Sequence, residues 1–262
     1  MRKLIYGLLL FLVFITAACV PTKDLIYLQT TNPADTAAVL HPIVVKPYRL
    51  QVNDIISVVI KANDPKLAEL FRAAEQSTQF NKTEQSLYFD GYTVNDHGTI
   101  RIPILGELTV LGYTLDEVRL KIENQLLADY FTKEANVFVS VKLAGLHYTV
   151  NGEVVIPGSK VEYKEKLTIL EALANAGDIT MTGNRKAVTI LRQLPQGSEL
   201  HEIDLTNIKA IESPYFYVQP NDFIYVKPLK QKSWGTGKTG LESISTVLTL
   251  LTLITTTFIL LK

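Results

Sequence analysis

The sequence predicts an α+β protein with two consecutive mixed domains and one C-terminal transmembrane α-helix. Between residues 48 and 229, alternating apolar strands accompany a helix with a capping signal twice in succession, which favours two mixed units over an all-α or all-β chain. Apolar residues also concentrate at both ends of the 262-residue chain. As a helix, residues 241–262 would extend about 31 Å, enough to cross the hydrocarbon core of a membrane.

The composition argues against several classes of function. The chain has 26 basic and 26 acidic residues, so it lacks the excess positive charge of a protein that neutralises nucleic-acid phosphates. A single cysteine excludes an intramolecular disulfide, and four scattered histidines give little basis for a metal cluster. We therefore expect no cofactor, no metal site and no nucleic-acid partner.

Residues 1–18 have the layout of a secretory signal peptide. A short basic start precedes an apolar run from Leu4 to Ile15, and small residues lead into Cys19. This layout resembles a bacterial lipoprotein signal, so we predict that Cys19 is lipidated. A plain signal peptide or an N-terminal anchor is the alternative. Residues 19–47 are rich in proline and threonine, which predicts a tether with a short strand near 43–45.

The first predicted domain covers residues 48–145. Thr114 and Glu117 have the spacing of a capping box, so we expect a helix to begin there and to bury one apolar face. Alternating apolar residues predict strands, and Asn, Asp and Gly mark turns. The predicted elements are a turn at 53–54, a strand at 55–60, a helix at 65–77, a loop at 81–86, a hairpin turn at 95–98, a strand at 99–104, the helix at 115–129 and a strand at 137–141.

The second predicted domain, residues 146–229, is a small sheet wrapped on one helix, which is a β-grasp-like architecture. A second capping box, Thr168 with Glu171, opens a helix that stops at Gly177. The predicted strands lie on both sides of a turn at 157–158 and at 186–193, 202–205 and 223–226. Residues 230–240 are basic and rich in glycine, which predicts a linker into the terminal helix.

The predicted terminal helix, residues 241–262, is partly amphipathic. At about 100° per residue, hydroxyl side chains gather on one side and large apolar side chains on the other. The hydroxyl set is expected to face a pore or to pack against neighbouring helices: Ser245, Thr246, Thr249, Thr252 and Thr256. The apolar set is expected to face lipid: Val247, Leu251, Ile254 and Phe258. This segment alone supports a packed helix and a pore-lining helix equally.

Segments of both predicted domains resemble one bacterial family. The first domain is similar to the polysaccharide export domain of Wza-type outer-membrane lipoproteins in YRLQVNDIISVVI, VNDHGTIRIPILGELTVLGYTLDEVRLKI and VFVSV. The second resembles a soluble-ligand-binding β-grasp (SLBB) domain in VNGEVVIPGSKVEY, LTILEALANAGDITMTGNRKAVTILR and YVQPNDFIYVKP. The resemblance implies an export domain, an SLBB domain and one C-terminal helix, in that order.

The resemblance also implies a function and partners. Family members are outer-membrane lipoproteins with a periplasmic body, and they export capsular polysaccharide or exopolysaccharide. They assemble into rings, often octamers, whose C-terminal helices can form an α-helical barrel. The implied partners are sister subunits, the polysaccharide, and an inner-membrane polysaccharide co-polymerase or tyrosine kinase. Larger members carry two or more SLBB domains, so one such domain predicts a shorter periplasmic body here.

No group of residues predicts catalysis, and we expect a protein that is not an enzyme. Four aspartates that lie in or beside predicted turns are interpreted as residues that bond the nearby backbone: Asp54, Asp96, Asp178 and Asp222. Four tyrosines could stack on sugars, although packing is the favoured interpretation: Tyr88, Tyr92, Tyr113 and Tyr148. The alternative function is a tail-anchored periplasmic carbohydrate-binding or scaffold lipoprotein that forms no pore.

Overall fold

The computed structural model describes residues 21–30, 47–63, 90–131, 136–194, 196–230, 232, 245 and 248–256. Several predictions fall outside these residues and keep their status as predictions. They are the signal peptide with Cys19, the strand near 43–45, the helix at 65–77, the loop at 81–86, most of the linker, and Thr246, Val247 and Phe258 of the terminal helix.

The first unit is built from short strands and one long helix. In chain order its elements are β1 (Ile55–Lys61), β2 (Tyr92–Thr93), β3 (Thr99–Ile102), β4 (Gly106–Thr109), α1 (Leu115–Asp129) and β5 (Phe138–Leu143). The order β2-β1-β5 forms an antiparallel sheet, and β3 pairs with β4 as a separate hairpin. Alternate residues of β1 are buried, as its alternating sequence requires.

Helix α1 begins and packs as the sequence predicts. The Thr114 hydroxyl accepts a hydrogen bond from the Glu117 amide at 3.2 Å, and the Glu117 carboxylate accepts one from the Thr114 amide at 2.7 Å. This reciprocal cap satisfies two amides that lack partners within the helix. Val118, Ile122 and Leu126, spaced by four residues, are buried in the core of the unit.

Strand β3 is shorter than predicted and has a different partner. The sequence suggested a hairpin across the turn at 95–98 with a strand reaching residue 104. The turn forms, but β2 pairs with β1, and β3 instead pairs with β4, with Ile102 opposite Gly106. Ile104 adopts a φ of +70°, outside the extended region, so the strand ends before it.

The second unit wraps a five-stranded sheet on one short helix. Its elements are β6 (Leu146–Gly152), β7 (Gly158–Glu162), β8 (Leu167–Thr168), α2 (Ile169–Asn175), β9 (Gly183–Leu194), β10 (Gly197–Ile203), β11 (Tyr217–Val218) and β12 (Asp222–Pro228). The sheet order is β10-β9-β12-β6-β7, with β12 parallel to β6 and the other neighbours antiparallel. The second predicted capping box is present, and Gly177 follows α2 in the left-handed region at φ +75°.

Two strands of this sheet were predicted with the wrong bounds. Strand β9 extends beyond the predicted 186–193 because it pairs along its length with β10 and β12. Strand β10 begins at Gly197 rather than at residue 202. Most of β10 is exposed at the edge of the sheet, so its sequence lacks the apolar alternation that marks a half-buried strand.

Residues 21–30, predicted as part of a tether, lie against the second unit. The Leu28 amide donates to the Leu205 carbonyl at 3.0 Å, and the Gln29 amide donates to the Thr206 carbonyl at 2.7 Å. These bonds join residues far apart in sequence, so local composition gave no sign of them. The predicted tether thus includes a part that is docked on the second unit.

The C-terminal helical segment is described at Ser245 and residues 248–256. Among the described residues, no helix has both the length and the apolar character needed to cross a membrane. The spanning helix predicted at 241–262 stays a prediction.

Candidate functional site

Every described side chain of the C-terminal helical segment is exposed. These residues include four of the predicted hydroxyl set, Ser245, Thr249, Thr252 and Thr256, and two of the predicted apolar set, Leu251 and Ile254. Exposed leucines and isoleucines in one helix form a surface that needs a partner or a lipid environment.

The threonine hydroxyls of this segment bond to its own backbone. Thr249 donates to the Ser245 carbonyl at 2.9 Å, and Thr252 donates to the Leu248 carbonyl at 3.0 Å. Thr256 donates to the Thr252 carbonyl at 2.7 Å. Each hydroxyl proton is thus used inside the helix, while the oxygen can still accept a hydrogen bond from outside. The segment therefore presents hydrogen-bond acceptors without placing unpaired donors in an apolar environment.

The chain leaves the second unit beside Glu153. The Leu229 amide donates to the Thr182 carbonyl at 2.8 Å, and the Lys232 ammonium pairs with the Glu153 carboxylate. Thr180 and Thr182 donate their hydroxyls to the other carboxylate oxygen at 3.1 and 2.6 Å. Burial acts to raise the pKa of Glu153, but these hydrogen bonds outweigh it and hold the pKa below its ordinary 4.5.

Residues 153–156 and 176–182, which we call the exit strip, run antiparallel beside this point. The Ile156 amide donates to the Ala176 carbonyl at 2.8 Å, and the Thr180 amide donates to the Glu153 carbonyl at 2.9 Å. Val154 forms a bridge with Ile179 between them. The backbone of the strip is therefore fixed by hydrogen bonds.

The N-terminal residues reach the same strip. The Tyr27 hydroxyl donates to the Asp178 carboxylate, and the Arg185 guanidinium lies 5.2 Å from the centre of the Tyr27 ring. Arg185 also donates to the Ile179 carbonyl at 2.7 Å. The pKa of the Tyr27 hydroxyl is raised mainly by burial and, to a smaller extent, by the hydrogen bond to Asp178. Asp178 is thus more than the turn residue predicted, since it holds the N-terminal segment in place.

A buried carboxylate stands at the start of the first unit. Asp54 is 4% exposed, and one of its oxygens accepts the Gln51 amide at 2.8 Å and the Tyr48 hydroxyl at 2.6 Å. Burial raises the pKa of Asp54, and these hydrogen bonds reduce the rise. The predicted backbone bond of a turn aspartate is present, but the tyrosine partner was not foreseen.

The same turn recurs in the second unit at Asp222. Its carboxylate accepts the Gln219 amide at 2.7 Å and two bonds from the Arg192 guanidinium at 2.9 and 2.7 Å. Asp222 is 1% exposed and Arg192 is 6% exposed, so this is a buried ion pair. The repeated sequence Gln-x-Asn-Asp, at 51–54 and 219–222, was the signal that could have identified both turns as one structural device.

The remaining tyrosines and the remaining aspartate singled out from the sequence do not gather into a site among the described residues. Tyr92 and Tyr148 are buried, as the packing interpretation expects, and Tyr113 is exposed. Tyr88 lies outside the described residues, and Asp96 lies in the exposed turn at 95–98. Within the part of the chain that the structure describes, no group of three or more His, Cys, Asp or Glu side chains could hold a metal ion.

Comparison with known families gives two adjacent matches. Residues 43–142 match the model described as polysaccharide biosynthesis/export protein, and residues 146–226 match the SLBB domain. The chain therefore contains a polysaccharide biosynthesis/export domain followed by an SLBB domain. The resemblance to export proteins and the predicted order of the two domains are thereby confirmed, and a match to export proteins agrees with the prediction that the chain is not an enzyme.

Two curated relatives of this chain are named for polysaccharide export at the outer membrane. The EPS I polysaccharide export outer membrane protein EpsA of Ralstonia nicotianae is 30% identical over 153 residues, which is 56% of this chain and 39% of that relative. The protein of the same name from Ralstonia solanacearum is 29% identical over 151 residues, with the same shares. The matched part thus spans about two fifths of each relative. Their names agree with the outer-membrane location predicted here.

Proposed function

We propose that the chain is one subunit of an outer-membrane translocon through which capsular polysaccharide or exopolysaccharide leaves the cell. Cys19 carries the lipid anchor, the export and SLBB domains form a periplasmic ring, and the C-terminal helices of several subunits enclose a pore. The observation that carries this proposal is the exposed helical segment, with its apolar and threonine surfaces, following an export domain and an SLBB domain.

The geometry of such a ring is compatible with a sugar chain. Eight helices with axes about 10 Å apart, the number that the family resemblance suggests, form a circle about 25 Å across. Subtracting a helix width of about 10 Å leaves a bore of about 15 Å. Fewer subunits would give a narrower bore, so the number of subunits limits the width of the polymer that can pass.

The proposed mechanism is passive guidance. The Thr249 and Thr252 oxygens, whose protons are bonded within the helix, accept weak hydrogen bonds from sugar hydroxyls. Many equivalent weak contacts allow a polymer to move, since no single site holds it strongly. An inner-membrane co-polymerase or tyrosine kinase makes the movement outward by delivering new polymer to the periplasmic end of the pore.

Removal of residues 241–262 is the first test. Both folded units should remain, because the described residues of each have their own core, whereas surface polysaccharide should be lost. Circular dichroism checks the fold, and staining of surface polysaccharide in a complemented deletion strain measures export. Normal export by the truncated protein would contradict the proposal.

A second experiment separates the pore from the scaffold alternative. The double substitution Thr249→Val and Thr252→Val removes two predicted pore-facing hydroxyls, so it should alter the single-channel conductance of the purified protein in planar bilayers. Thr255→Val is the matched control, because Thr255 makes the same backbone bond, to Leu251 at 2.9 Å, from the predicted apolar side. A purified protein with no conductance and no ring symmetry in cryo-microscopy would favour a scaffold.

A further inference from the structure

Three large apolar side chains project into solvent from the exit strip. Val155 is 61% exposed, Ile156 is 57% exposed and Met181 is 64% exposed. Two neighbouring residues of the strip, Val154 and Ile179, are buried in the core of the second unit. The strip is therefore two-sided, with one side serving the fold and the other presenting apolar groups outward.

The exposed side chains are held in place by the structure beneath them. Gly177 has a φ of +75°, and a Cβ there would lie 2.8 Å from the Cβ of Val155. Only glycine permits this close approach without strain. Gly177 therefore lies directly against Val155, and the backbone bonds of the strip hold residues 153–156 beside residues 176–182. An exposed apolar surface of this kind is typical of an interaction site.

Two segments that lie far apart in the sequence, at residues 24–27 and 229–232, approach this strip. On one side, Leu229 and Lys232 bind it just before the chain continues to the C-terminal helical segment. From the N-terminal segment, Tyr27 binds Asp178 of the strip, and Asp24 pairs with Lys186, four residues beyond the strip, at 2.6 Å. Cys19 is five residues before Asp24, so it lies within about 18 Å of extended chain from that ion pair.

We infer that the exit strip is a membrane-contacting surface, and that Val155, Ile156 and Met181 insert into the interfacial region of a phospholipid leaflet. The inference rests on the proposed function, because it takes Cys19 and the C-terminal helix as the two membrane attachments. If both attachments emerge beside one strip, that strip is the part of the second unit held closest to the bilayer. Its apolar side chains then leave water by entering lipid.

The charges of the strip suit this location. Its acidic residues are Glu153 and Asp178. Glu153 is paired with Lys232 and accepts two threonine hydroxyls, and Asp178 accepts the Tyr27 hydroxyl and the Ile179 amide. Carboxylates that already have partners lose less on approach to a low-dielectric medium than isolated ones. The strip can therefore approach anionic lipid without leaving a carboxylate unpaired.

The test uses tryptophan as a lipid-contact probe in the full chain. Trp234 is the single tryptophan, and its replacement by phenylalanine gives a silent background. Ile156→Trp and Met181→Trp place probes at two points of the strip. Leu200→Trp is the matched control, because Leu200 is 69% exposed in the same unit, on β10 at the far edge of the sheet from β7. Each protein is reconstituted into phosphatidylethanolamine–phosphatidylglycerol vesicles, with or without brominated acyl chains.

The expected result is that both strip probes emit less in brominated vesicles than in unbrominated ones, whereas the control probe emits equally in both. In unbrominated vesicles the strip probes should also emit at shorter wavelength than the control probe. Flotation of the vesicles measures attachment independently. Protein that floats but shows no quenching at the strip, or equal quenching at all three probes, would overturn the inference and leave the proposed function intact. A strip probe that emits at short wavelength in the floated protein but is not quenched by brominated lipid would be shielded from both water and lipid. This would mean that a sister subunit covers the strip, which also overturns the inference. Protein that does not float would contradict the attachments themselves.

Discussion

The two domains use the same turn and give its buried carboxylate different hydrogen-bond partners. Asn53 and Asn221 both adopt left-handed backbone, at φ +70° and +66°, and the aspartate after each accepts the amide of the glutamine three residues earlier. Asparagine tolerates this conformation better than most residues. The repeated sequence therefore encodes the backbone of the turn.

The partners of the two carboxylates come from different places. Asp54 meets the neutral hydroxyl of Tyr48, six residues earlier, whereas Asp222 meets the Arg192 guanidinium on a neighbouring strand. Local sequence thus fixes the turn and supplies Tyr48 to the first carboxylate, whereas the pairing of β9 with β12 supplies Arg192 to the second. The first turn also contacts the second unit, since the Gln51 side chain donates to the Gln193 carbonyl, next to Arg192 on β9, at 3.1 Å.

Loss of the ion pair should produce the largest difference between the turns. Arg192→Met leaves the Asp222 carboxylate buried without its cation, which we expect to lower the free energy of unfolding by about 3–5 kcal/mol. Urea denaturation measures this change. The control is Arg119→Met, which removes a partly exposed helical pair with Glu123 and should cost no more than about 0.5 kcal/mol. Equal losses from the two variants would mean that the buried pair contributes nothing particular to stability.

Removal of the hydroxyl in the first turn should have a smaller effect. Tyr48→Phe takes away one of the two donors to Asp54, so we expect a loss of about 1–3 kcal/mol in the free energy of unfolding. Tyr113→Phe serves as the control, because Tyr113 is exposed and should be nearly indifferent to loss of its hydroxyl. If both tyrosine variants are as stable as the original chain, the hydrogen bond from Tyr48 to Asp54 does not contribute to stability.

Substitution of the carboxylate itself should have the smallest effect at the first turn, and that effect should depend on pH. In Asp54→Asn the amide oxygen can accept both donors, which now converge on one carboxylate oxygen. Burial raises the pKa of Asp54 above its ordinary 3.8, so the folded chain binds the proton at higher pH than the unfolded chain. The stability due to the protonated acid is fully present below the unfolded pKa and is lost as pH rises through the folded pKa.

The original chain should therefore become less stable relative to Asp54→Asn as the solution is brought from acid to neutral pH. Urea denaturation of both proteins over that range checks the sign. Asp222→Asn provides the contrast, since at neutral pH it leaves Arg192 buried without its anion and should be strongly destabilised. A constant difference between Asp54→Asn and the original chain would show that the Asp54 pKa does not change on folding.

Features set by neighbouring residues were predicted well. The capping boxes at Thr114 and Thr168 and the bounds of α1 follow from contacts within four residues. The order of the two domains followed from the resemblance of several segments together. The C-terminal hydroxyl and apolar sets remain predictions, because periodicity defines the faces of a helix and not what each face contacts.

Features set by distant residues were missed. Arg192 and Asp222 are 30 residues apart, and nothing in either local sequence identifies the other as its partner. The docking of residues 21–30 also depends on which backbone groups remain available after the sheet of the second unit forms. Pairing of this kind is a property of the assembled fold, so composition and periodicity cannot determine it.

The docking of residues 21–30 makes the second unit discontinuous in sequence, and this has a consequence for the order of folding. The carbonyls that receive the Leu28 and Gln29 amides belong to Leu205 and Thr206, which are synthesised long after the segment itself. Residues 21–30 therefore cannot dock until most of the second unit has been made. If Cys19 is lipidated as proposed, the segment beside it has no folded surface to occupy during that interval, and the modifying enzyme has time to reach it.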